Sequence, residues 1–223
     1  MPTLLLASAS PARRSLLTAA GIDALVSVSG VDEDAVLAAA RRQAGTLSPE
    51  DCVLLLAQAK AEAIATALRE GDPELVPQQA PAGDILVLGC DSMLQLGSEI
   101  VGKPADADDA RRRWRGMRGR TGVLHTGHWL IDARDGANGG GNGAVGAATS
   151  TRVHFAEVSD AEIEAYVSSG EPLAVAGAFN IDGLSGPFID GIDGDPHTVI
   201  GLSLPTLRAL LRRIGVEIVD LWR

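Results

Sequence analysis

The order of segments in this sequence predicts an α/β fold built on a mixed sheet. Strand-like and helix-like stretches intermingle along the whole chain and are not grouped by type. Helix starts are marked by serine, proline or acidic residues, and helix ends by glycine. Two long strand-like segments, "VLHTGHWLIDA" and "ATSTRVHFAEV", are separated only by a glycine-rich linker, which makes at least one antiparallel pair.

Residues 3–7 read as a buried strand. Ser10 and Pro11 then open a helix over 11–20, with serine as N-cap, proline at the first helical position and Gly21 as the stop. "ALVSVSG" reads as a second strand, and "VDEDAVLAAARRQAG" as a helix with an acidic start, closed by Gly45. The clearest helix is "SPEDCVLLLAQAKAEAIATALREG", about six turns with a capping signature at its front. Three prolines in 71–84 mark an irregular, flexible surface crossing. "DILVLGCDSMLQLG" is the strongest strand signal, with Asp91 at the end of its apolar half. "DADDARRRWRGM" is a helix. The glycine-rich stretch near 136–146 lacks the Gly-Lys-Ser/Thr ending of a phosphate loop and reads as a flexible hairpin tip. "SDAEIEAYVSSG" and "SLPTLRALLRRIG" are further helices, and "VEIVDLW" reads as a last strand.

The chain has 223 residues, 46% of them hydrophobic and 22% charged, enough for one large core or two small ones. Aromatic residues make up only 3%, so that core is expected to be mainly Ala, Leu, Val and Ile. A net charge of −10 disfavours a nucleic-acid-binding surface. No apolar run reaches the roughly 18 residues of a membrane span, and no secretory leader is evident, so no membrane partner and a cytoplasmic location are expected. Cys52 and Cys90 sit among apolar neighbours without a second ligand at metal-binding spacing, and read as buried reduced thiols.

The arginine pair Arg13-Arg14 falls in the first turn of a helix, where a cation is unfavourable by about 0.3–1 kcal/mol. Small residues in "ASASPARR", free backbone N–H groups and two guanidinium groups together make an anion site. Pairing with carboxylates elsewhere explains them equally well. Against 17 arginines the chain has two lysines, Lys60 and Lys103. Asp91 is expected at the carboxyl end of a buried strand, where ligand sites in α/β folds concentrate, and a hairpin through "GSEIVGK" returns Lys103 to the same edge. An acid beside a lysine there suits a metal-bound phosphate or a plain ion pair. Of Asp32, Glu33 and Asp34, two are ordinary helix-start residues and one is left to bind Mg²⁺. Residues 103–120 hold seven basic and three acidic side chains, and most of Arg111, Arg112, Arg113 and Arg115 are expected in solvent. His125 and His128 lie three apart in a strand and face opposite ways, which does not suit a shared metal. His154 and His197 show no evident partners.

"LLLASASPARRSLL", "VDE", Lys60 in "LAQAKA", "VLGCDSM", "IVGKP", "HTG", "SDAEIEAYVSSGEPLAVAGAF" and "GIDGDPHTVIGLSLP" together resemble the Maf family of nucleoside triphosphate pyrophosphatases. The matches keep their order over nearly the whole chain and leave out only the segments near 71–84 and 136–146. The resemblance implies one domain over 1–223, with an elongated, two-lobed Maf/ITPase-like fold, a strongly twisted mixed sheet and a cleft between the lobes. It implies hydrolysis of a nucleoside triphosphate to the monophosphate and pyrophosphate with Mg²⁺ or Mn²⁺, as housekeeping clearance of nucleotides. It places Asp91 as the acid–base residue, Ser8, Arg13, Arg14, Lys60 and Lys103 around the phosphates, and Glu33 with Asp91 as metal ligands. Ala12, Ser92 and Asp182 stand where the better-known branches have arginine or tryptophan, threonine or glutamine, and often glutamine. Neither the dTTP/UTP nor the 7-methyl-GTP preference therefore transfers, and the small Ala12 points to a roomier base pocket. The family's link to septum formation gives an alternative, a nucleotide-responsive regulator of cell division, and the resemblance also points to a homodimer.

Overall fold

The sheet grows from the alternation in "TLLLA". Leu4 and Leu6 point to one face and Leu5 and Ala7 to the other, and all four are buried because helices cover both faces. The computed structural model describes residues 1–81, 83–136, 141 and 143–223. Strand β1 (Thr3–Ala7) runs parallel to β2 (Leu25–Ser27) on one side and to β3 (Ile85–Leu96) on the other. Beyond β3 the pairing is antiparallel. A hairpin joins β3 to β4 (Glu99–Val101), and β5 (Thr121–Asp132), β6 (Ala144–Phe155) and β7 (Ile189–Asp193) follow in turn. The sheet order is β2-β1-β3-β5-β6-β7, with β4 beside β3, and the expected mixed α/β architecture is present.

Among the described residues, α1 (Pro11–Ala19), α2 (Glu33–Ala44) and α3 (Pro49–Glu70) form in the first half of the chain. The second half supplies α4 (Ala107–Met117), α5 (Asp160–Ser168), α6 (Pro196–Ile200) and α7 (Leu204–Arg213). Ser48 and Asp51 form a reciprocal cap at the front of α3, as that segment's composition predicts. Helix α7 packs Leu207, Leu210 and Leu211 against the Leu4/Leu6/Leu86/Leu88 face of the sheet, where Leu17 of α1 joins them. Helix α3 packs Ala61 and Ile64 against the opposite face, on Leu5, Ala7 and Val87. A separate apolar body surrounds the far ends of β3, β5 and β6, with Leu94, Leu124, Val153 and Phe155 against α4 and α5. The core is mainly Ala, Leu, Val and Ile, as expected, but this body also carries an aromatic cluster. Trp114 stacks edge-on with Phe155, Tyr166 and Phe188, and Phe155 with Phe179, so most of the few aromatic residues are spent in one place.

Other expectations need correcting too. Strand β3 does not stop at Asp91 but continues to Leu96. Its first half pairs with β1 as far as Gly89, and its last residues pair with β4 from Leu94. Asp91 therefore sits in mid-strand, where one edge of β3 has lost β1 and not yet met β4. "VEIVDLW" forms a 3-10 turn over Ile218–Leu221, not a strand. Val216 and Leu221 are buried against the α7 side, and only an isolated bridge, Ile22 to Trp222, touches strand-like pairing. Strand β7 and helix α6 were not foreseen, because "IDGID" mixes acids and glycine and "PHTVI" is too short to show a period. The segment 71–81 is irregular as expected but anchored: Leu75 and Ala80 pack on the α3-side cluster, and Ser27 donates to the Leu75 carbonyl. Of the two segments read as flexible, position 82 of the first and positions 137–140 and 142 of the second lie outside the described residues.

Candidate active site

Two helices bring basic groups to the interrupted edge of β3. The first is α1. Ser10 caps it by accepting the Arg13 N–H, with Pro11 in the first turn. The Arg13 side chain turns back across the end of β1 and is buried. Its Nε donates to the Gly201 carbonyl at 2.7 Å, and Nη1 donates to Ser8 Oγ at 3.0 Å and to the Cys90 carbonyl at 2.9 Å. Nη2 donates to Ser92 Oγ at 3.0 Å. Every partner is neutral, and no ion pair among the described residues includes Arg13. The guanidinium is thus fixed in place while its charge is left uncompensated by any directly bound acid. Arg14, next to it, is exposed and makes no such contact among the described residues.

The second helix is α3. Added Cβ atoms at Gly89 of β3 and Gly127 of β5 would run into α3 backbone, around Ala57 and Ala61 in one case and Val53 and Leu54 in the other. These two glycines let the helix backbone lie directly on the sheet. That close approach delivers Lys60 to Asp91: Nζ donates to Oδ1 at 2.5 Å. The same ammonium lies 2.7 Å from Glu33 Oε1. Asp32 spends its carboxylate capping α2, and all three acids of the trio are exposed, but it is Glu33 whose carboxylate reaches Lys60. Burial pushes the Asp91 carboxyl above its usual range, against the opposing pull of Lys60 and Arg13, and Glu33 adds to the rise.

An acid–lysine pair therefore forms, but with Lys60 and not with Lys103 from the neighbouring hairpin. Lys103 is exposed, with no hydrogen bond or ion pair among the described residues. The β3–β4 ladder ends with Val101 opposite Leu94, two residues before Lys103. The expected hairpin itself forms between β3 and β4. Ala12 is half-buried beside the Arg13 backbone. Ser92 is half-buried and bonds both Arg13 and Thr126 Oγ1. Asp182 is not drawn to this group. It is exposed in a turn ordered by Asn180 and Glu171, and its N–H donates to Asn180 Oδ1. The local acids also take up the basic run over 103–120. Arg111 pairs with Asp108 and Glu164, Arg112 and Arg113 with Asp109, and Arg115 and Arg118 with Asp160; Arg112 and Arg115 remain exposed, as expected, whereas Arg111 and Arg113 are partly buried.

Sequence reasoning missed the carbonyls of Cys90 and Gly201 and the Thr126 hydroxyl, which bonds Ser92 and donates to the Thr198 carbonyl. Backbone acceptors leave no residue-type signal. It also missed the partners of the histidines. His125 bonds Ser150 and Gln95 and lies 3.0 Å from Glu50, lining a cavity of about 470 Å³ on the α3 face. His154 bonds Thr121 and Asp193, and His197 lies 3.2 Å from Asp195. Both cysteines are buried and unpaired, and burial pushes the Cys90 thiol up to about 12.

Lys60 is itself a cation held between two carboxylates. Those oxygens therefore suit a divalent ion in chemistry and placement. Among the described residues no third His, Cys, Asp or Glu converges there. Two protein carboxylates, with water and phosphate oxygens completing the shell, match the preference of Mg²⁺.

A family model described as Maf-like protein matches residues 3–214. The chain is 53% identical over 219 residues to a protein of Leifsonia xyli subsp. xyli, covering 98% of this chain and 96% of that one. It is 52% identical to one of Salinispora tropica (98% and 87% covered) and 50% identical to one of Streptomyces coelicolor (98% and 94%). All three bear the name nucleoside triphosphate pyrophosphatase.

Proposed function

The chain belongs to the Maf-like protein family, and on that premise we propose that it hydrolyses nucleoside triphosphates to the monophosphate and pyrophosphate at the interrupted edge of β3. The observation supporting this most directly is the buried Arg13 guanidinium, bound only by neutral acceptors, one strand position from a carboxylate that holds Lys60. A chain of net charge −10 repels a polyphosphate unless its site is locally positive. Arg13, Lys60 and Lys103 supply that local charge.

In this reading Arg13, with Ser8 beside it, binds phosphate oxygens together with the first-turn N–H groups of α1. Lys103 reaches the same oxygens from the β4 side, and Arg14 widens the positive mouth. Glu33 and Asp91 would hold Mg²⁺ or Mn²⁺, which when bound supplies charge neutralisation and a more acidic water. Asp91 takes the proton of the attacking water as its oxygen bonds the α-phosphorus and the bond to the pyrophosphate oxygen breaks. The upward shift of the Asp91 carboxyl makes it a better proton acceptor than an exposed aspartate. Lys60 orients that carboxylate. Ala12, Ser92 and Asp182 are the positions assigned to base selection, with Asp182 acting from its separate turn. The single sheet running through both apolar bodies supports reading 1–223 as one domain of two lobes. Free, buried Cys52 and Cys90 support a reducing, cytoplasmic setting. Among the described residues no helix is long and apolar enough to cross a membrane.

The test is pyrophosphate release by the purified protein with Mg²⁺ or Mn²⁺ across a panel of canonical and modified triphosphates. Stoichiometric monophosphate and pyrophosphate from at least one member is expected. Binding without turnover of any member would overturn the enzymatic reading in favour of a nucleotide-responsive regulator.

A further inference from the structure

Lys103 has no side-chain partner among the described residues, so its position must come from its backbone. That backbone is held at two points by one ion pair on α4. Arg113 Nη1 donates to the Gly102 carbonyl at 2.7 Å, and the Gly177 N–H reaches the same oxygen at 3.0 Å. Two residues beyond Lys103, the Ala105 N–H donates to Asp109 Oδ2 at 3.0 Å, and that oxygen also lies 2.7 Å from Arg113 Nη2. The Ala105 contact holds the Asp109 carboxyl below its usual range. Between these points Pro104 is buried and restricts Lys103 to extended backbone. Asp109 and Arg113 thus close a ring around residues 102–105.

We propose that the Asp109–Arg113 pair is a positioning device for Lys103, holding its loop so that the ammonium meets the substrate's phosphates. An ordinary helix-surface pair at this spacing would stabilise only its own helix. Arg113 differs from its neighbour: its side chain is 19% exposed, against 68% for Arg112, because it is turned in toward the loop. The proposal rests on the phosphate role given to Lys103 above, and a double-mutant cycle separates the two.

Arg113→Leu is expected to lower kcat/KM about tenfold in the wild-type background and by less than about twofold in a Lys103→Ala background. Asp109→Asn breaks the ring from its other side and should show the same dependence on background. This second variant decides the matter if Arg113→Leu does not fold. Equal losses in both backgrounds would make the pair merely structural and overturn the proposal, as would no loss from either variant. Lys103→Ala with near-normal turnover would instead remove Lys103 from the site, and the proposal with it.

Discussion

Arg13 shows how a cation is kept charged and buried without being cancelled. Four hydrogen bonds to neutral oxygens replace its lost hydration, and bonds to a charged group are worth about 1.5–3 kcal/mol each. Among the described residues no acid touches it directly, so its field extends to whatever anion enters beside Ser8. Asp91 is the counterpart, a carboxylate raised by burial and oriented by Lys60. Asp91→Asn keeps the shape and one acceptor oxygen but removes the proton-accepting charge. Turnover should fall at least ~100-fold while nucleotide binding largely survives, as read by pyrophosphate release and by equilibrium binding. Near-normal turnover would remove Asp91 from the chemistry. The motif residues were legible in the sequence because serine, proline, arginine and aspartate are distinctive types in distinctive order. The identity of the lysine paired with Asp91 was not. Lys103 follows it by a short hairpin, whereas Lys60 precedes it by 31 residues and arrives on a different element.

At the level of elements, α3 is the support on which the site depends. Its apolar face is plain in the sequence, and its length and caps form as expected. How closely it approaches the sheet depends on Gly89 and Gly127, which present no side chain where the helix backbone passes. Gly127→Ala would place a methyl group against the backbone of Val53 and Leu54, which cannot swing aside as a side chain can. A loss of about 1–3 kcal/mol is expected, measured as a lowered unfolding midpoint. Activity should also drop in the fraction that stays folded, because Lys60 moves with the helix. Unchanged stability would mean that the helix does not press on the sheet at that point. Strand β3 teaches a related lesson. Its apolar run is readable, but where it stops is decided by which neighbours pair with it, and β5 carries it past Asp91 to Leu96.

Across the whole molecule, His128 ties the site's surroundings to the core. It is fully buried, and its Nε2 accepts the Ser203 N–H at 2.8 Å, so that nitrogen carries no proton in the folded protein. Burial, with Arg13 nearby, pushes the imidazole down to about 4 from its ordinary 6.5. Between those values the unfolded chain binds the proton and the folded one does not. Stability from this group is therefore complete above pH 6.5 and is lost as the pH falls toward 4, by about 3 kcal/mol in total. Unfolding free energies of the wild type and of His128→Gln, compared at pH 7 and pH 4.5, should show the wild type losing more on acidification. Parallel losses would refute the assignment.

Most segment types, their order and the residue types available for an anion site were determined by the sequence itself, because side-chain period, caps and residue type act over a few neighbouring positions. Only the tertiary structure decided that Asp91 bonds Lys60, that backbone carbonyls hold Arg13, that the last segment is a turn, and that most of the aromatic residues gather in one body. Each of these depends on which distant elements come into contact, and contact is set by packing and close approach summed over the whole chain. Asp182 marks the same limit: the sequence placed it in a family position, and the fold placed it on a turn of its own.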